Sequence, residues 1–188
     1  MPRILRWFTR RDDVIKVRVP PAAINLLRDA LDDLRARLLS GGDGLDRLFP
    51  AAYTHHPGLD AEYQRYMREE LVASRMHALD AVAQSLDSRT ITVAEAEGWL
   101  QAINAARVSI GTLLGVDHDG WTPEDLLPLE DDDPRYKLLI LAEFLGTLLH
   151  DLLDVLMPDG LRYPSKKALR AAGIDADLLL DLEDDDPE

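Results

Sequence analysis

The chain has 188 residues, 46% of them hydrophobic, and a formal net charge of -14. That length supports one substantial core, so a single domain with a short appendage is expected. There is no cysteine, which excludes a disulfide framework, a thiolate metal site, a thiol nucleophile and any switch that oxidises the protein's own thiols.

The charge is uneven. Residues 1 to 19 carry six basic side chains against two acids, whereas Asp117 to Asp133 and Asp175 to Glu188 each hold eight acids and no Lys or Arg. Such acid-only runs read as a solvated loop and a frayed tail. The N-terminus has arginines but no apolar core of signal-peptide length, so a cytoplasmic location is expected. The most apolar segment, Leu138 to Met157, is interrupted by Glu143, His150, Asp151 and Asp154. These would be costly within a bilayer, and no membrane span is expected.

From Ile4 to Val19, two short apolar and basic runs flank "TRRDD" and predict a hairpin. Pro20 and Pro21 suit a helix start, after which Ile24, Leu27, Leu31, Leu34 and Leu38 recur at helical spacing until "SGGDG" stops the helix. In the connection that follows, Leu48, Phe49 and Tyr53 are expected to tuck onto the core.

A second helix is predicted from Leu59 to Leu86, with Tyr63, Met67, Leu71, Ala78, Val82 and Leu86 on one stripe. A third starts at Thr92, whose spacing to Glu95 makes a capping box, and runs to near Gly115. Thr122 with Pro123 suggests a short turn in the acidic loop, and Asp133 with Pro134 starts helix four. Helix four is apolar on nearly every side except for a seam of Glu143, Thr147, His150, Asp151 and Asp154. It is expected to be the central element of the bundle, with an oligomer interface as the alternative. The segments "IGTLLG" and "LGTLLH" echo one another. Glycine is unfavourable inside helices, so Gly111 and Gly146 are expected at or near a helix crossing. The boundary falls at Pro158, with a helical regulatory domain over 1–157 and a short helical appendage and acidic tail over 158–188. The fold class is mainly α: a bundle of about four long helices with a small N-terminal β-hairpin.

Chemistry-bearing motifs are sparse. The histidines His55, His56, His77, His118 and His150 form no paired-ligand spacing, so no metal and no cofactor are expected. No serine sits in a nucleophile elbow, and "SGGDG" lacks the lysine of a phosphate loop, so no catalytic residue is assigned. A DNA contact would have to use the hairpin, through Arg10 and Arg11, with Arg35, Arg37 and Arg47. The acidic surface instead favours a basic protein partner, with Asp131, Asp132 and Asp133 as the candidate contact.

Three segments, "DRLFPAAY" (Asp46 to Tyr53), "EYQRYMREEL" (Glu62 to Leu71) and "WLQAINAARVSIGTLLGV" (Trp99 to Val116), occur in this order. Together they resemble the actinobacterial AosR-like family, long catalogued as a domain of unknown function and now often named oxidative-stress transcriptional regulators. The resemblance covers about Arg3 to Met157. In its third segment Trp99, Asn104, Arg107, Gly111 and Thr112 match, and Ala105 stands where the family's usual Asp would be. It implies a non-enzymatic, transcription-associated regulator that works through protein contact with a sigma factor. A DNA-contacting regulator using the basic hairpin, or an adaptor module without a transcription role, are the alternatives. If Arg107 were buried, its donors would need partners from another helix, and Glu62 and Glu143 are the carboxylates to look for.

Overall fold

The computed structural model describes residues 6–116 and 133–157. In it β1 (Phe8–Arg11) and β2 (Val14–Val17) form the N-terminal hairpin, with Arg11 opposite Val14. The loop between them is Asp12–Asp13, and Asp12 takes φ 57°. Asp tolerates that left-handed conformation better than most residues, which lets so short a loop close. A third strand, β3 (Thr90–Thr92), pairs antiparallel with β2 and makes the sheet order β1-β2-β3. The sheet's inner face is Phe8, Ile15 and Ile91, all buried.

Helix α1 (Pro21–Ser40) buries the stripe read from the sequence, Ile24, Leu27, Leu31, Leu34 and Leu38, together with Ala30. It ends at Gly41, whose φ of 70° is the left-handed cap that Gly supplies. A single 3-10 turn, Asp46–Leu48, follows. Leu48 and Phe49 are buried, but Tyr53 is 45% exposed and rests edge-on against Tyr63 instead of entering the core. Its phenol stays in water, where the hydroxyl needs no protein partner.

Helix α2 (Pro57–Ser85) buries only its second half deeply, at Ala78, Leu79 and Val82. Tyr63, Met67 and Leu71 of the predicted stripe are half-buried, because the first half covers only the turn and loop before it. Helix α3 (Val93–Leu113) begins at the expected capping box: the Thr92 hydroxyl accepts from Glu95 N, and the Glu95 carboxylate accepts from Thr92 N at 2.7 Å. These bonds hold the Glu95 carboxyl below its ordinary value of 4.5, the backbone bond to Thr92 contributing most. Because the folded pKa is depressed, the associated stability is present above about pH 4.5 and is lost as pH falls through the lower folded value. Thr92→Ala should cost about 1 kcal/mol, and Glu95→Gln should flatten that acidic limb in urea titrations repeated from neutral pH downward.

Helix α4 (Pro134–Leu156) starts where Asp133 and Pro134 placed it. Asp133 Oδ1 accepts from Arg135 N at 2.8 Å, capping the first turn. The central element, however, is α3 and not α4. Trp99, Ile103 and Ile110 are buried along α3, which packs against α1, α2, the 3-10 turn and α4. The principal described neighbours of α4 are α3 and β1. One face of α4 is deeply buried at Leu145, Leu148 and Leu152, while Ile140 is 49% exposed on the other. The abundance of leucine on α4 therefore misled the sequence reading. The more mixed α3 has small residues, Ala96, Ala102 and Ala106, that let neighbours close in on several sides, and all three are buried. The expected turn at Thr122 and the appendage from 158 onward lie outside the described residues.

Candidate functional site

Two surface depressions flank α3, and the residues singled out by the sequence divide between them. Asn104 is exposed and lines a cleft of about 240 Å³ between α2 and α3 with Ser74, Arg75, Gln101 and Ala105. Arg107, one turn on, is also exposed and lines a broader groove of about 450 Å³ beside α4, with Glu143, Gly146, Thr147 and His150. Although residues three apart on a helix lie on roughly the same side, the two side chains line different depressions, Asn104 beside α2 and Arg107 beside α4. A buried Arg107 bonded to a carboxylate is not what the fold contains. Glu143 does share its groove, but the two form no ion pair, and Glu62 lies exposed elsewhere on α2.

The two echoed glycines also differ. At Gly146 an added Cβ would lie 3.3 Å from Arg107 Nε, so this glycine gives Arg107 room to lie across α4. At Gly111 an added Cβ meets no described atom within 4 Å. The expected crossing at Gly111 is therefore corrected: close approach belongs to Gly146, and to Gly44, where an added Cβ would sit 2.8 Å from Leu113 Cγ at a φ of 79°. Thr112 Oγ1 donates to Val108 O in its own helix at 3.0 Å. Trp99 is a core residue: it is fully buried, donates from Nε1 to Ser85 Oγ at 2.9 Å and meets the Phe8 ring edge-on at 6.0 Å.

One firmly held cation is not among the residues read from the sequence. Arg75 donates to Leu71 O at 3.1 Å and to Leu48 O, and its guanidinium lies 4.8 Å from the Phe49 ring centroid. Arg68, two turns earlier on α2, lies 4.7 Å from the same ring. Burial pushes the Arg75 guanidinium below its ordinary value. The available signal was the seven-residue step from Arg68 to Arg75 on a helix facing an aromatic loop, which reads equally well as two solvated arginines.

The other arginines are largely occupied. Arg10 donates to Asp12 O at 2.8 Å and to Leu156 O, 3.4 Å away at the end of α4. Arg28, Arg35 and Arg37 pair with Asp87, Asp80 and Asp33 respectively. Arg37 also donates to Ser109 Oγ, which in turn donates to Gly44 O, so this arginine staples the loop after α1 to α3. Arg47 reaches Val116 O at 3.4 Å. Arg11 and Lys16 remain exposed on the sheet, and Arg6, Arg18 and Arg89 are exposed beside it. Of the candidate acidic contacts, Asp131 and Asp132 lie outside the described residues. Asp133 is engaged by Arg135, whose side-chain hydrogen bond holds the Asp133 carboxyl below its usual range and raises the Arg135 guanidinium in return. Among the described residues no group of three or more His, Asp or Glu side chains is placed to hold a metal ion, and no helix is long and apolar enough to cross a membrane.

What the fold and surface define is a mainly α domain with a three-stranded N-terminal sheet and two polar depressions either side of a central helix. Its sequence matches, over residues 5–156, the family described as Domain of unknown function (DUF2017), and the chain belongs to that family. No curated protein and no solved structure matches it.

Proposed function

We propose that this chain is a non-enzymatic regulatory protein of transcription that acts by contacting another protein, a sigma factor or a polymerase-associated subunit. The transcription role rests on the resemblance of Asp46–Tyr53, Glu62–Leu71 and Trp99–Val116 to the AosR-like regulators. The preference for protein contact rests on the arginines: Arg10, Arg28, Arg35 and Arg37 are all bonded to carbonyls or carboxylates of the chain itself. Phosphate tracking needs a row of cations free to displace counterions. Among the described residues the exposed cations on and beside the sheet, besides Arg10, are Arg6, Arg11, Lys16, Arg18 and Arg89, set on a chain of net charge -14.

With no cysteine in the chain, no thiol of this protein senses oxidants, and thiol-based sensing belongs either to other members of the resembled family or to the partner. The competing reading is direct DNA contact through Arg10 and Arg11, and fluorescence anisotropy with labelled duplex separates the two. Purified protein is expected to show no saturable binding at about 50 mM salt, where phosphate contacts are strongest. Tight binding that collapses toward about 200 mM and is abolished by Arg10→Glu with Arg11→Glu would favour the DNA-contacting reading.

A further inference from the structure

We infer that the cleft between α2 and α3 binds a small molecule through an oxyanion, a carboxylate or a phosphate, with Arg75 supplying the charge and Ser74, Gln101 and Asn104 the neutral hydrogen-bonding rim. This site is independent of the protein-contact reading above.

The cation of this cleft is fixed in position. Two backbone carbonyls, from Leu48 and Leu71, and the Phe49 ring hold the Arg75 guanidinium in place. A guanidinium has five N–H donors, so donors beyond those two bonds remain for a ligand. Carbonyls and a ring face satisfy hydrogen bonds without cancelling the charge. Arg28, Arg35, Arg37 and Arg135 each have a carboxylate within 4.0 Å, and among the described residues Arg75 has none. A half-buried cation without a counter-charge is destabilising, and an anion in the cleft would relieve that.

The rim has the complementary chemistry. Ser74, Gln101 and Asn104 line the same cleft, and none of their side chains is hydrogen-bonded to a described residue. A hydroxyl and two carboxamides can donate to the remaining lone pairs of an oxyanion. Ala102 and Ala105 leave the floor open, and the cleft's volume of about 240 Å³ admits an oxyanion on a few carbon atoms. The forked guanidinium suits a planar carboxylate or two oxygens of a phosphate. The Arg107 groove is a weaker candidate because Glu143 stands in it and would repel an anion.

The test is calorimetric titration and thermal melting of the full chain with sodium glutarate in one arm and inorganic phosphate in the other, against sodium chloride at matched ionic strength. One saturable site is expected in at least one arm, with a Tm rise of roughly 3 °C at ten times Kd, and the responding arm identifies the oxyanion. Arg75→Lys keeps the charge but loses the fork, and should weaken binding roughly tenfold. Ala105→Asp places a carboxylate in the cleft; it should melt no lower than the parent and lose the response. No saturable response to either anion beyond the chloride control, or a full response retained in folded Ala105→Asp, would overturn the assignment.

Discussion

Replacing Trp99 with Ala is expected to remove about 3–5 kcal/mol of stability, the largest loss at any single position discussed here. The indole is fully buried where α3 meets the sheet, with the Phe8 ring edge-on at 6.0 Å and Ser85 Oγ accepting from Nε1 at 2.9 Å. Deleting it leaves a cavity between rigid elements and deprives Ser85 of a donor. Small domains hold only about 5–15 kcal/mol in total, so the variant should be substantially unfolded at modest urea. Trp99→Phe keeps most of the volume and should retain a cooperative transition. Urea unfolding followed by far-UV circular dichroism measures both, and a loss below about 1 kcal/mol for the alanine variant would mean that this core is not as tightly packed as described.

Asp151→Ala is the second, with an expected loss of about 2–4 kcal/mol. Asp151 lies in the polar seam of α4, and its Oδ2 accepts from Trp7 N at 2.6 Å and from Phe8 N at 2.9 Å. Both donors are partly buried at the outer edge of the sheet, where among the described residues β1 has no further strand to pair with. The carboxylate covers that edge and ties it to a helix more than 140 residues away in the sequence. Removing it leaves both amide donors without their partner, and Asp151→Asn should fall between parent and alanine because one neutral acceptor remains. Amide hydrogen exchange provides the specific readout: Trp7 and Phe8 should lose protection in Asp151→Ala while amides in the middle of α3 exchange only as fast as global unfolding allows.

These two residues also mark what was legible beforehand. The four helices could be read because their signals are local: proline at the start of α1 and α4, the Thr92 and Glu95 box, the Gly41 stop and the leucine stripe of α1, although α2 begins at Pro57, two residues before the expected Leu59. β3 could not be, because Thr90–Thr92 is too short for an alternating pattern and exists only by pairing with β2. The identity of the central helix was also hidden. Leucine content reports how much a helix can bury, whereas its neighbours are fixed by tertiary packing, and α3 earns its place through small residues as much as large ones.

Side-chain partnerships were the least accessible. Nothing local distinguishes Asp151, bonded to strand amides, from Asp154, which is exposed three positions further along the helix. The glycines make the same point, because "IGTLLG" and "LGTLLH" are near copies, yet only Gly146 has a side chain laid across it. Of the residues matched in the third segment, Asn104 lines the cleft over Ala105, whereas Arg107 lines the groove beside α4. The cleft's cation, Arg75, falls between Leu71 and Ala78 on α2, and it could be recognised only once the loop at Leu48 and Phe49 was seen to rest against it.

The central claim, action through a protein of the transcription machinery, is tested most directly by affinity capture from native lysate with the full chain as bait and mass spectrometry as readout. The account predicts that a sigma factor or an RNA polymerase subunit is retained, that retention survives nuclease treatment, and that it weakens as salt rises, because an acidic surface meets a basic one. Retention of nucleic acid alone, with every transcription protein lost after nuclease, would contradict it.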